Sequence, residues 1–237
     1  ASVYGSADRV IVLARDFTKP LVRWGVRPDA ISVSRTMFDG RMVRPSQAGQ
    51  TDLARFVFLS RISEAKGVGE ILKASALLKA KGLCFHVSLH GHGAKADVVD
   101  HLKSQSADLG VTDRCEFRPY VDGEEKFATY AQADVLLLPT YHPEGCPTVA
   151  LEAMASGLFL ICTNVGALQE IIKDGENGRF VRARDAQDLA EKMEWAIRHI
   201  SVVRRLGEQN REYAFRSFEC RHIVGQITEI YRELLNA

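Results

Sequence analysis

No apolar run in the 237 residues approaches the ~20 needed to cross a bilayer, so a helical membrane span is excluded. An excess of one charge is missing too. Lys and Arg number 31 against 30 Asp and Glu, a net charge of +1 that offers nucleic acid or anionic lipid no global field, although a local basic patch stays open. The five cysteines, Cys84, Cys115, Cys146, Cys162 and Cys220, are odd in number, scattered, and mostly set in apolar strand-like runs without a C-x2-C spacing. That pattern argues against zinc and fits reduced, buried thiols in a cytoplasmic compartment. Internal repeats and low-complexity tracts are absent, and 46% hydrophobic with 26% charged residues excludes disordered and collagen-like classes. The chain starts Ala1-Ser2, without an initiator methionine or secretory leader, and reads as a piece or processed form of something longer.

From residue 54 onward, short apolar runs alternate with helical patterns. Strands are expected near 55–60, 84–90, 114–118, 134–139, 158–162 and 178–181, with helices near 67–81, 94–107, 124–132, 148–156 and 167–173. This alternation predicts an α/β fold, a Rossmann-like parallel sheet with helices on both faces. Helices near 185–199, 202–216 and 220–235 close the chain, the last amphipathic through Ile223, Ile227, Ile230, Tyr231 and Leu234. Residues 1–43 behave differently: Arg9–Ala14 is a strand, Phe17 to Trp24 a short helix broken by Pro20, and Ala30–Ser34 another strand. Residues 44–53, with Pro45-Ser46-Gln47-Ala48-Gly49-Gln50, read as a linker to a domain over 54–237.

The most informative stretch runs from Glu144 to Gly157, EGCPTVALEAMASG. The preceding Asp134-Val135-Leu136-Leu137-Leu138-Pro139 is a buried parallel strand stopped by proline. Pro147 suits the first helical turn and Gly157 the helix end. One carboxylate, Glu144, thus stands just before a helix and another, Glu152, inside it. The free N–H groups of the first turn attract an anion, with Thr148 and Val149 as backbone contacts and Gly145 and Cys146 at the turn. A carboxylate beside bound phosphate is repelled, so the two glutamates make better sense accepting from neutral hydroxyls at either end of the anion. A nucleoside diphosphate-sugar has that pattern. Spacing alone proves little, because sixteen glutamates give about one pair eight apart by chance; Glu116 and Glu124 are such a decoy, with no helix start between them.

The Glu144–Gly157 stretch resembles the Glu-(x7)-Glu signature of retaining GT-B glycosyltransferases of family 4. Phe56 to Gly67 resembles that family's first C-domain strand and its Arg-(x4)-Lys-Gly loop, His86 to Gly93 its second strand and glycine turn, and Asp174 to Val181 the loop and strand after the signature. The resemblance implies the C-terminal, donor-binding half of a two-domain enzyme, with residues 1–43 a remnant of the N-terminal acceptor domain. It implies Glu144, Arg61 and Lys66 as catalytic residues: Glu144 touching the donor sugar, Arg61 and Lys66 neutralising the diphosphate, a pair that otherwise reads as a solvated loop. It implies Glu152 holding the ribose, Gly91 and Gly93 letting the backbone pass close to the donor, and the segment of Pro119 and Tyr120 reading the base. A plain tight turn for the glycines and a sheet-edge cover for Tyr120 remain open. Pro119 stands where relatives often have glycine, Ser60 likewise, and Arg35–Asp39 replaces the usual Asn-Gly before the linker.

No metal and no cofactor are expected: His90 and His92 lack a third ligand nearby, and the chain has no Asp-x-Asp to hold a metal on a diphosphate. Arg61, Lys66 and the helix dipole are expected to stabilise the leaving diphosphate instead. Expected partners are a nucleotide-sugar donor and a carbohydrate or other acceptor held by the N-terminal domain, with no nucleic acid. For a full-length enzyme, peripheral membrane association is compatible, and the strand edges of residues 1–43 can be disordered, repacked or paired in a dimer. Rival readings are a sugar-nucleotide epimerase of related fold and a sugar-nucleotide-binding module without transfer activity.

Overall fold

The computed structural model describes residues 6–47, 53–93, 97–142 and 144–236. A first unit runs β1 (Val10–Val12), α1 (Thr18–Arg23) and β2 (Ile31–Val33), its two strands parallel, around Val12, Leu21, Val26 and Ala30. The remainder continues β3 (Ala54–Leu59), α2 (Val68–Ala80), β4 (Phe85–His90), α3 (Val98–Asp108), β5 (Cys115–Arg118), α4 (Gly123–Ala131), β6 (Val135–Leu138) and α5 (Thr148–Ala155). It ends with β7 (Phe159–Thr163), α6 (Leu168–Ile171), β8 (Gly178–Val181), α7 (Ala186–Arg198), α8 (Ile200–Phe218) and α9 (Cys220–Leu235).

β3 to β8 form one parallel sheet in the order β5-β4-β3-β6-β7-β8. Alternate residues of each strand feed opposite cores, which is why the central strands read as continuous apolar runs. Val57, Leu59, Leu136, Leu138, Leu160 and Cys162 pack toward α4 and α5, while Phe56, Phe58, Leu137, Phe159 and Ile161 join Ile71, Leu72 and Met193 of α2 and α7 on the other face. The strand order reverses between β3 and β6. Such a reversal opens a crevice outside the carboxyl ends of those two strands, the usual ligand position in an open α/β sheet.

Three expectations need correction. Pro20 does not break its helix: it lies in the first turn of α1, where no intrahelical partner awaits its missing N–H. Pro147 is the N-cap of α5 rather than its first helical residue, with extended backbone angles. Within the residue 1–43 segment, the described residues 6–43 are not disordered but form the β1-α1-β2 unit read from the sequence pattern. It is tied to the rest through Glu170, whose carboxylate accepts from Arg35 Nη2 at 2.6 Å and from the Arg15 backbone N–H at 2.7 Å. Residues 48–52 of the expected linker and 94–96 of the expected third helix lie outside the described residues.

Candidate functional site

The loops after β3 and β6 meet at the reversal point. Glu64–Lys66 forms a single 3-10 turn that ends on Gly67, at φ +77°, from which α2 starts. A Cβ on Gly67 would lie 2.4 Å from the Pro139 carbonyl oxygen, so only glycine lets the two loops approach this closely. Across that contact Lys66 Nζ donates to Glu144 Oε1, both side chains being largely buried at 14% and 13% exposure. Thr140 Oγ1 lies 3.2 Å from both Glu144 Oε1 and Ala65 O, so its one proton serves either, and it accepts from the His142 N–H at 3.2 Å. Thr163 in turn donates to the Thr140 carbonyl.

The loop from Glu144 to Pro147 is held from two further sides. Gly166, at φ +53°, sits so close that a Cβ there would fall 1.8 Å from Glu144 O, and the Ala167 N–H donates to Gly145 O at 2.8 Å. Thr36 Oγ1 donates to Cys146 O at 2.9 Å, and a Cβ on Gly145 would come within 3.2 Å of Leu13 Cδ1. The first unit therefore packs against the very turn that introduces α5. Cys146 is buried, which pushes its thiol up and away from thiolate chemistry. Among the described residues no side chain caps α5, which leaves the N–H groups of Thr148 and Val149 at its start to meet an anion.

Glu152 lies one turn inside α5, its side chain only 8% exposed. Lys126 Nζ donates to its Oε1 at 2.8 Å, and Tyr130 OH approaches its Oε2 at 3.5 Å. Burial pushes the Glu152 carboxyl above its ordinary range, against the pull of Lys126 and Tyr130. Lys126 keeps its charge, since Glu152 and Asp122 outweigh the effect of its burial. This lysine was not found from the sequence. The signal was present, because Lys126 and Tyr130 are four apart on one face of α4, but nothing in the sequence says that this face meets α5.

The other expected residues divide. Arg61 is exposed, just past β3, and forms no ion pair among the described residues. Gly91 answers to its neighbour loop: a Cβ there would lie 2.0 Å from Ser60 O, while Ser60 N–H donates to His90 O and Ile62 N–H to His92 O. Gly93 bridges to Ile62 in the same contact. The close approach of the Ser60 loop is thus one reason for glycine at position 91. Pro119 follows β5, and the exposed Tyr120 ring packs edge-on against His92 with centroids 5.5 Å apart. A cavity of ≈ 530 Å³ runs down the α4 side of β4 and β5 past Arg55, His86, His90, Glu116 and Arg118. Its walls include neither lysine–glutamate pair, and the convergence of side chains with an uncapped helix start carries more chemistry than that larger hollow.

Residues 43–213 match the family model described as glycosyl transferases group 1. Among curated proteins the chain is 28% identical over 250 residues to D-inositol 3-phosphate glycosyltransferase of Saccharomonospora viridis, covering 99% of this chain and 58% of that one. It is 26% identical over 219 residues to the MMP alpha-(1->4)-mannosyltransferase of Mycolicibacterium hassiacum, covering 91% and 51%. The chain thus spans little more than half the length of these relatives. Among solved structures, sucrose-phosphate synthase from Thermosynechococcus elongatus superposes with a TM-score of 0.86 at 24% identity, covering 99% of this chain and 60% of that one. HepE from Anabaena, solved in complex with UDP, gives 0.86 at 21% identity, covering 96% and 64%. These structures establish the fold, a parallel sheet flanked by helices like that of GT-B glycosyltransferases. With the family model matching most of its length, the chain belongs to the glycosyl transferases group 1 family.

Proposed function

We propose that this chain is the donor half of a retaining, family 4 GT-B enzyme that transfers a hexosyl group from a nucleoside diphosphate-sugar. The observation that carries the reading is the uncapped start of α5 standing between two glutamates, each neutralised by a lysine from a different loop or helix. The diphosphate sits at the helix start, where N–H groups, Lys66 and the nearby Arg61 offset its charge. Glu144 accepts from the sugar hydroxyls and Glu152 from the ribose hydroxyls. Gly145, Cys146, Thr148 and Val149 supply backbone to the phosphates, and Pro119 and Tyr120 border the base.

Transfer with retention breaks the bond between the anomeric carbon and the leaving phosphate oxygen and forms the acceptor bond on the same face. The departing oxygen takes the acceptor's proton, so no protein nucleophile is required. Growing charge on the diphosphate is met by fixed cations and dipoles, which act without reorganisation. The acceptor belongs to a partner domain outside these residues, and the enzyme works in the cytoplasm. Orientation of two reactants contributes ~7–11 kcal/mol to barrier reduction, so this chain alone is proposed to bind donor without transferring it.

Thermal denaturation with UDP, GDP and ADP in the presence of a chelator tests the reading. A binding nucleotide at about 100 times its dissociation constant adds ~2.7 kcal/mol of stability. No stabilisation by any of them, or stabilisation that appears only when magnesium or manganese is restored, overturns the metal-independent donor site. Robust sugar transfer by these 237 residues alone overturns the half-enzyme assignment.

A further inference from the structure

Glu152 presents a difficulty that the donor reading does not solve by itself. A carboxylate with 8% of its side chain exposed, set close to a diphosphate, is disfavoured twice, once by its burial and once by the charge of the ligand. Protonated, it would lose part of its power to accept from a diol. The ammonium of Lys126, 2.8 Å away and itself only 16% exposed, answers both problems.

The geometry leaves room for ligand and lysine together. Lys126 lies three residues past the start of α4 and Glu152 four past the start of α5, ~4.5 Å and ~6 Å along their helices. Both helices start beyond the carboxyl ends of β5 and β6, so the pair lies just beneath the ligand crevice. A carboxylate has about four acceptor positions. Lys126 occupies one on Oε1 and Tyr130, at 3.5 Å, loosely occupies one on Oε2. Two positions remain, the number that a vicinal diol needs. Lys126 itself has three protons: one goes to Glu152, a second points toward Asp122 Oδ1 at 3.5 Å, and the ammonium also lies 5.5 Å from the Phe127 ring centroid.

We propose that Lys126 is a positioning residue for the donor's ribose: it holds Glu152 ionised and aimed while cancelling its charge next to the diphosphate. This rests on the donor reading above and adds to it a residue and a dependence on pH. The charged and titratable groups facing Glu152 are Lys126, Tyr130 and, further out, Asp122. Tyr130 is buried with its phenol pushed well up and stays neutral. Without Lys126, the burial that already raises the Glu152 carboxyl is opposed only by the long Tyr130 contact, and the group takes up a proton at higher pH than in the wild type. Diol binding therefore weakens toward acid in the variant at pH values where the wild type still holds it.

The test is titration of wild type, Lys126→Met, Lys126→Arg, Glu152→Gln and the Lys126→Met/Glu152→Gln double variant with whichever of UDP, GDP or ADP binds tightest. The 2′,3′-dideoxy form of the same diphosphate is run in parallel, with melting temperature recorded for each protein. Affinities are compared variant to wild type at each pH from about 5 to 8, so that titration of the ligand cancels. Lys126→Met is expected to weaken the diphosphate about tenfold at neutral pH, a charge-assisted bond lost, and progressively more toward acid. Lys126→Arg should restore most of the loss. In the Glu152→Gln background the methionine should add little, and Lys126→Met should weaken the dideoxy ligand, which keeps the charge but lacks the diol, clearly less than the parent diphosphate. A lysine that only stabilises the fold would lower the melting temperature and leave the affinity and pH profile of the folded protein unchanged, which overturns the inference. If wild type binds none of the three diphosphates, the donor reading itself falls. If it binds one and Lys126→Met matches it within about twofold throughout, the donor reading stands and this inference falls.

Discussion

Lys66–Glu144 and Lys126–Glu152 bring the same two charges to one helix start, yet Glu144 hangs from a loop while Glu152 projects from the fifth residue of a helix. The loop pair is assembled by glycines: Gly67 lets the β3 loop reach Pro139, and Gly166 lets the α6 turn press on the Glu144 carbonyl. The helix pair has no such close approach: a Cβ on Gly123, the first residue of α4 at φ +54°, would meet nothing within 4 Å, and Phe127, Tyr130, Leu151 and Ala155 share one buried cluster. The proposed site thus joins one carboxylate held on an irregular, glycine-packed loop to another held on a helix.

Breaking the loop scaffold should have the largest effect on stability. Gly166→Ala puts a Cβ 1.8 Å from Glu144 O and forces φ +53° on a residue with a side chain; the dihedral strain alone costs about 1–3 kcal/mol, and the clash adds to it. Gly67→Ala, 2.4 Å from Pro139 O, should act in the same direction. Chemical denaturation measures the loss, and a change within about 0.5 kcal/mol of wild type at both positions would mean that the loops are not locked as described. The corresponding change on the other side, Ala128→Gly in α4, has no special geometry to break.

Removing one lysine at a time sharpens the contrast. A buried charge left without its partner costs about 3–5 kcal/mol when it cannot move. Glu152 is fixed by its helix, so Lys126→Met should approach that range, reduced by the residual exposure of the pair. Glu144 is also largely buried but keeps Thr140 Oγ1 at 3.2 Å as a second partner, so Lys66→Met should cost less, about 1–3 kcal/mol. Equal losses would show that loop and helix hold their carboxylates alike, and the reverse order that Glu144 depends on its lysine more than Glu152 does. Among ligands the order changes: Glu152→Gln should weaken free nucleoside diphosphate, and Glu144→Gln chiefly the sugar-bearing donor, each by about 1–2 kcal/mol. If both variants lose affinity for free nucleotide equally, the two ends have been assigned wrongly.

How far the sequence discloses this arrangement follows from the range of each interaction. The strand runs and helical periods are local, and the six-stranded sheet follows from their alternation. Glu144, Glu152 and the helix start between them lie within one short segment, so their neighbourhood is local too. Lys66 was legible as a cation near the crevice because it follows β3, but its partner was not, since 78 positions separate it from Glu144. The same holds for Lys126 and Glu152, 26 apart on two helices, and for the Glu170 contacts that seat the first unit against the α5 turn. Pro20 was misjudged for a related reason. Whether a proline breaks a helix depends on where the helix starts, and one residue of uncertainty there reverses the answer.

Arg61 supplies the mildest perturbation of the fold and the cleanest separation of the site from its scaffold. It is exposed at the carboxyl end of β3 and, unlike Lys66 and Lys126, holds no carboxylate among the described residues. Replacing it removes a charge without stranding another. Arg61→Ala should therefore leave stability within about 0.5 kcal/mol of wild type. If the arginine faces the diphosphate, the same change should weaken nucleoside diphosphate by ~1.5–3 kcal/mol while the uncharged nucleoside is bound as before. The affinity ratio of diphosphate to nucleoside in wild type and variant, taken at two salt concentrations, reads this directly, because an exposed cation's contribution is screened by salt. Equal loss for both ligands would place Arg61 against the base. No loss for either would leave Lys66, already engaged by Glu144, as the sole side-chain cation of the β3 loop at the anion, and the backbone start of α5 would then carry most of the recognition.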